Sequence, residues 1–262
     1  RLAPGAMGAA ERTELAAVLV HDLVADGLIP ERSLRNELMD VRPFAALGPA
    51  TASGPGNAAS ENLDPSAAPR LLLLERAAMV FFGVPSYGAH VNGYVAGPDG
   101  RPAAVWVARR SMSKATYPGL LDQMVAGAQP AGLGVMENMR KECAEEASLP
   151  PDVVAAVRPA GLVSYRYATR KGLSTKVLSV FDAPLPEGMP PECADGEVDE
   201  FRLMPVDELL ASLRDELPLW KPNSALVAVD FALRHGLVTP DSPGYSKIAH
   251  GLRGAVPLRS DM

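Results

Sequence analysis

Between residues 13 and 28 the apolar side chains of Leu15, Val18, Leu19 and Leu23 recur at the spacing of one helical face, and Gly27 closes the run. His21 reads as a partly buried histidine of that helix rather than a catalytic one. A second helix is predicted from Leu71 to Phe82. The period then shortens to that of strands: Val91 to Val95 and Ala103 to Ala108 alternate or cluster β-branched and aromatic residues, and Pro98-Asp-Gly100 turns the chain between them. Val135, Met139 and Cys143 return to a four-residue spacing, which predicts a helix over about 135 to 147, stopped ahead of Pro150 and Pro151. Ala160 to Thr169 and Lys176 to Ala183 read as a hairpin across Arg170-Lys-Gly172. Glu200 to Met204 follows as a short strand, Val206 to Leu213 as a helix, and Ser224 to His235 as a last helix capped by Gly236. Strands with helices for both faces of a sheet predict an α/β fold, an α/β/α sandwich.

Composition divides the chain. Ala45 to Pro69 is rich in Ala, Gly, Pro and Ser with scarcely any charge, the composition of a flexible insertion without its own core. It separates a small N-terminal helical or mixed element, residues 1–44, from a main domain at 70–262. With 262 residues, 47% of them apolar, the chain can bury a sizeable core. A net charge of −6 and a pI near 5.3 supply no global basic field, so neither nucleic acid nor a membrane surface is an expected partner. Any recognition of phosphate must be local. Cys143 and Cys193 make neither a disulfide framework nor a metal motif, which favours an intracellular, reducing compartment, the cytoplasm or an organelle such as a plastid or mitochondrion. No apolar run reaches the roughly 20 residues that span a bilayer, and no targeting segment is visible in a sequence that opens on Arg1. Nothing in the pattern specifies an oligomeric state.

The helix at 135–147 carries the most informative chemistry. Glu142, Glu145 and Glu146 fall within an arc of roughly 100° on it. Three like charges so close repel and raise one another's pKa values. A hard divalent cation removes that penalty, and Mg²⁺ favours a few carboxylates together with phosphate oxygens.

This segment, Gly127 to Leu149, resembles the Nudix box, G-x5-E-x7-R-E-U-x-E-E-x-G-U with U a bulky aliphatic residue. Gly127, Glu142, Glu145, Glu146 and Leu149 match it. Leu133 stands at the first glutamate, Lys141 at the arginine, Cys143 at an aliphatic position and Ser148 at the late glycine. Lys141 keeps the charge but loses the planar fork that holds two carboxylates, and Glu137, four residues before it, is placed for an ion pair. Outside the box, Tyr87-Gly-Ala-His-Val-Asn-Gly-Tyr-Val95, Trp106 to Ser111, Lys114 to Gly119 and Leu121-Asp122 lead in, and Asp195 to Phe201, Lys221-Pro-Asn223 and Asp230 to Gly236 follow. In that order they resemble the Nudix domain fused ahead of thiamine pyrophosphokinase in some fungi and standing alone in plants, algae and yeasts. The likeness covers roughly residues 70–250, and Leu34 to Val41 extends it toward the amino terminus. It implies a Nudix α/β/α sandwich. It also implies hydrolysis, with Mg²⁺ (or Mn²⁺), of a small-molecule diphosphate: thiamine diphosphate, or damaged forms such as oxythiamine and oxothiamine diphosphates, cut to the monophosphate.

Such a reaction needs a cation on the diphosphate oxygens, a positioned water and positive groups for the leaving phosphate. Glu142 and Glu146, one turn apart, are the first candidate ligands, with Glu145 third. The general base stays open among Glu145, Glu146 and the later Glu197 in Asp-Gly-Glu-Val. Arg109, Arg110 and Lys114 form a local basic cluster suited to phosphates, and strand alternation lets only one of the two arginines reach the site. Lys221 and Asn223 are substrate candidates by resemblance, although Asn223 is equally placed to cap the last helix. Trp220, Tyr165 and Tyr167 either stack on a cationic ring or pack in the core. Two alternatives remain: a domain that binds a diphosphate without cleaving it, and an isomerase of isopentenyl diphosphate. The second lacks the expected cysteine and histidine in Val125-Ala-Gly-Ala-Gln-Pro130.

Overall fold

The computed structural model describes residues 7–42 and 70–252 and shows two compact units. The insertion expected at 45–69 lies outside the described residues. One unit comprises the described residues up to Ser86 with 129–135 and 167–175. In it α1 (Ala9–Ala25) packs on an antiparallel pair, β1 (Leu38–Val41) and β2 (Leu72–Glu75), in the register Leu38↔Glu75 to Val41↔Leu72. The helix expected over Leu71 to Phe82 is therefore a strand followed by a 3-10 turn, Arg76–Ala78. A run of leucines suits either period, and the backbone bonds available along β1 decide for the strand.

The apolar face assigned to α1 is also corrected. Leu15, Val18 and Leu19 are 46%, 59% and 45% exposed, and Val20 is the residue the helix buries. Its smaller side chains turn inward instead: Thr13, Ala16, Val20 and Val24 line a cleft with Leu73 and Leu74. Thr13 fixes that choice, because its hydroxyl accepts the Leu73 N–H at 2.9 Å and donates to Ala9 O at 2.8 Å. His21, expected partly buried, is exposed.

The other unit, residues 87–128, 136–166 and 176–252 of those described, holds most of the central sheet. Its strands are β3 (Ser86–Ala96), β4 (Pro102–Arg110), β5 (Leu121–Gln123), β6 (Val125–Ala128), β7 (Arg158–Thr169), β8 (Gly172–Pro184) and β9 (Val198–Pro205). They run β5-β4-β3-β8-β7, with β6 on β3 and β9 on β4. The hairpin at Pro98-Asp-Gly100 forms as expected, Gly97 N–H donating to Arg101 O at 2.7 Å. The helices are α2 (Val135–Ala147), α3 (Pro151–Ala156), α4 (Val206–Asp215), α5 (Pro222–Arg234) and α6 (Tyr245–Gly251). The box helix has its expected bounds, whereas α3, α6, β5 and β6 had no signal in the pattern. Val105, Val107, Met204, Leu209, Trp220 and Phe231 bring β4, β9, α4 and α5 into one buried cluster. Val163, Leu178, Val180 and Val227 join β7 and β8 to the same helix α5. Gly127 faces α2, while His90, cross-strand partner of its neighbour Ala126, faces α5. Side chains alternate across a sheet, so α2 and α5 cover opposite faces. No described helix is long and apolar enough to cross a membrane.

Ser148 ends α2 with φ 49°, a left-handed conformation, and Leu149 N–H then turns back to Cys143 O at 3.1 Å. Glycine adopts this conformation without the Cβ penalty. Ser148→Gly is therefore expected to stabilise the chain by about 0.5–1 kcal/mol in urea unfolding. Equal or lower stability would show that the serine side chain offsets its backbone cost.

Candidate active site

Docking of α2 on β6 builds the acidic half of the site. Met139, Cys143 and Ala147 are buried along the helix, the Cys143 thiol 3.7 Å from Met139 Sδ. Asn138 Nδ2 donates to Ala128 O at 2.9 Å, and about two turns farther along the helix Glu146 Oε2 accepts the Ala126 N–H at 2.8 Å. Between them the Glu142 carboxylate lies against Gly127. A Cβ at position 127 would come 2.6 Å from Glu142 Oε2 and closer still to its carboxyl carbon. The first glycine of the box is thus the space that a carboxylate fifteen residues later occupies.

Burial pushes the Glu146 carboxyl up to about 8; the Ala126 N–H opposes this, and the charges of Glu142, Asp122 and Glu197 add to it. Glu142 is raised as well, first by burial and further by Glu145 and Glu197, with Lys141 opposing. Two neighbouring carboxylates that resist ionisation, Glu146 buried and Glu142 half-buried, form an all-oxygen donor pair that fits a hard divalent cation. Glu145 departs from the expected common side. It is exposed, and Lys141 Nζ holds it at 2.7 Å while lying 3.3 Å from Glu142. Lys141 thus pairs toward the end of the helix, not with Glu137, because the deeper end carries more negative charge. Among the described residues no group of three acids, histidines or cysteines lies close enough to ligate one ion. Glu197 forms an ion pair with Lys114, and its carbonyl accepts the Ser111 N–H at 2.9 Å, so these two loops are tied together.

The basic half is organised by a residue that sequence reasoning missed. Asp122, 3% exposed, accepts from Arg110 Nη1 at 2.9 Å, Lys221 Nζ at 2.8 Å, the Gln123 N–H at 2.9 Å and the Ser224 hydroxyl. Burial alone would raise its carboxyl, but Lys221, His90 and the bonds to Lys221 and Ser224 hold it at about 2. Arg109 and Arg110 do point to opposite faces. Arg110 is buried and also donates to Thr116 O at 3.0 Å and Tyr117 O at 3.1 Å, fixing the loop that bears Lys114. Arg109 is exposed beside Gly119 and Glu200. Asn223 Nδ2 lies 3.4 Å from His90 Nε2. Trp220 belongs to the core, its indole N–H bonded to Ser212 Oγ at 3.0 Å, and Tyr165 packs with Val163 and Leu178, whereas Tyr167 is exposed. The signal for Asp122 was faint, one acid inside Leu121-Asp122. Only folding brings two cations to it.

The raised Glu146 pKa has a sign. Folding favours its protonated form, so the associated stability is complete below about pH 4.5 and is lost as pH rises through about 8. In EDTA, Glu146→Gln is expected to melt with wild type near pH 4.5 and several degrees above it at pH 9. Each kcal/mol corresponds to about 2–4 °C in a chain of this size. Coincident melting at pH 9 would place Glu146 in a hydrated environment.

A family profile described as NUDIX domain matches residues 86–225. Nudix hydrolase 24, chloroplastic, of Arabidopsis thaliana is 39% identical over 243 residues, 93% of this chain and 60% of that protein. Nudix hydrolase 20, chloroplastic, of the same plant is 38% identical over 93% of this chain and 58% of its own length. An uncharacterised protein of Saccharomyces cerevisiae is 37% identical over 71% of this chain and 58% of its length. The chain spans about three fifths of the curated relatives it matches. Among solved structures, a C. elegans Ap4A hydrolase binary complex aligns with TM-score 0.41 and 11% identity, over 58% of this chain and 99% of that one. With the profile covering more than half of its residues, the chain belongs to the Nudix family.

Proposed function

We propose that this chain hydrolyses a diphosphate linkage in a small molecule with Mg²⁺ (or Mn²⁺), and that its substrate is thiamine diphosphate or an oxidised analogue, released as the monophosphate. The observation that carries the hydrolytic reading is the seating of Glu142 and Glu146 on Gly127 and Ala126. That seating draws two carboxylates out of water, Glu146 almost fully and Glu142 in part. Glu142 and Glu146 would hold the cation, with Glu145 and Glu197 at its rim. When bound, the cation would neutralise charge on the diphosphate oxygens.

The remaining roles fall to this chain's own groups. Glu145, Glu146 and Glu197 are the candidates to take a proton from water. Lys114 and Lys221 supply positive charge to the leaving phosphate, each already held by a carboxylate partner. Arg110 acts by fixing the Lys114 loop rather than by touching substrate, and Arg109 contributes at the rim. The thiamine assignment rests on the resemblance of the motifs flanking the box. The names of the plant relatives support hydrolysis and, for location, a plastid. A second reading, binding of a diphosphate without cleavage, is favoured by one observation: Glu145 is turned outward onto Lys141.

Monophosphate release from thiamine, oxythiamine, ADP-ribose and isopentenyl diphosphates, with Mg²⁺ and with EDTA, separates these readings. EDTA-sensitive cleavage led by the thiamine compounds is expected, and Glu146→Gln is expected to lower the rate at least about 10²-fold. Another leading substrate would discard thiamine and keep the chemistry. Tight binding without turnover would establish the second reading.

A further inference from the structure

At the head of α5 a chain of hydrogen bonds sets the polarity of one side-chain amide. Gln123 Nε2 donates to the Ser224 carbonyl at 2.7 Å. A carbonyl only accepts, so this amide has one permitted orientation, and the atom it turns to His90 Nδ1, at 2.8 Å, is the oxygen Oε1. That oxygen also only accepts, so the imidazole proton sits on Nδ1. His90 is 3% exposed. Burial, then Lys221 at the head of α5 and Arg110 on β4, lower its pKa to about 4, against Asp122 and the Gln123 bond on β5, so the ring is neutral at pH 7.

A neutral ring protonated on Nδ1 has a lone pair on Nε2. The atom facing that lone pair is Asn223 Nδ2, at 3.4 Å. The Asn223 amide is thereby turned with its nitrogen inward, and no bond to its Oδ1 is formed among the described residues. Asn223 is half-buried, two residues beyond Lys221. The cross-strand partner of His90 is Ala126, whose N–H holds Glu146. Asp122, bonded to Lys221 and Ser224 close to Asn223 in the chain, lies near enough to Glu146 for its charge to act there, which brings the head of α5 close to the candidate active site.

We propose that Asn223 determines specificity by presenting a carbonyl acceptor, oriented through Ser224, Gln123 and His90, so that the site prefers diphosphates whose other group carries an N–H or O–H donor. Gln123 and His90 are positioning residues in this scheme. The proposal rests on the reading of this site as a diphosphate site and narrows the class of group attached to the diphosphate. A site built around a fixed polar atom discriminates strongly, because a ligand without the matching group leaves that atom buried and unpaired.

Two measurements separate the relay from the reaction. Long-range ¹H–¹⁵N correlation at pH 7, with the His90 signals identified by their loss in His90→Gln, is expected to show Nδ1 protonated and Nε2 bare. The opposite tautomer, or an imidazolium, would overturn the relay. Asn223→Asp places a carboxylate oxygen against Nε2 and is expected to move the His90 titration to higher pH; an unmoved titration would count against the contact. For recognition, Asn223→Leu is expected to lower kcat/KM for thiamine diphosphate, which carries an amino donor, at least about tenfold relative to isopentenyl diphosphate, which carries none. The loss should fall mainly on KM. Equal losses on both ligands would reduce Asn223 to a structural part. If the wild type cleaves neither, the hydrolytic reading fails by itself, and the same ratio taken from dissociation constants decides the role of Asn223.

Discussion

The close approach of α2 to β6 at Gly127 governs the chemistry available to this chain. With no side chain at that position, the Glu142 carboxylate comes to rest on the strand, and the helix sits low enough for Glu146 to reach the Ala126 N–H. Both carboxylates are then withdrawn from water, and their raised proton affinity follows from that withdrawal more than from their mutual repulsion. A helix held one side chain farther out would leave the same glutamates solvated and ordinary. The apolar stripe of Met139, Cys143 and Ala147 supplies the driving force for docking, and the glycine sets its depth.

Burial alone does not decide how a carboxylate behaves here. Asp122 and Glu146 are both buried, yet one is held at about 2 and the other, with the charge of Asp122 acting on it, is pushed up to about 8. Partners make the difference: Asp122 lies among an ammonium, a guanidinium, a hydroxyl and a backbone N–H, whereas Glu146 has one backbone N–H and acids for neighbours. Such divergence between adjacent groups is the usual physical basis for dividing fixed charge from proton transfer. It gives Asp122 the task of holding Lys221 and Arg110 in place and leaves Glu146 free to exchange a proton or a cation.

Legibility in the sequence followed the range of the interactions. The box helix, the β3–β4 and β7–β8 hairpins and the caps after α1 and α5 rest on local periodicity and turn residues, and they are where the sequence puts them. The helix expected over Leu71 to Phe82 failed because its leucines are resolved by a partner strand about thirty positions away in the chain. Val18 and Leu19 misled because size ranked them as core, while Thr13, Ala16 and Val20 offered the closer fit. In the site, the box acids were visible as a spacing. Asp122, Gln123 and His90 were not, since their meaning lies in contacts with residues up to 133 positions away.

The departures from the family pattern form a connected set rather than scattered losses. With Leu133 in place of the first glutamate, the cation at position 141 loses that partner, and it pairs with the acids after it on the chain instead of with Glu137 before it. A lysine there, unlike an arginine fork, can swing its single ammonium toward the C-terminal end of the helix, and it does so, meeting Glu145 at 2.7 Å and Glu142 at 3.3 Å. That contact draws Glu145 outward while Glu142 and Glu146 stay fixed by the strand. The substitutions therefore leave Glu142 and Glu146 seated on the strand, with Lys141 beside Glu142, and act most on Glu145, which Lys141 holds outward. Displacing one exposed lysine takes little free energy, because an exposed ion pair contributes at most about 1 kcal/mol. Glu145 is thus held outward by a contact that little free energy would release.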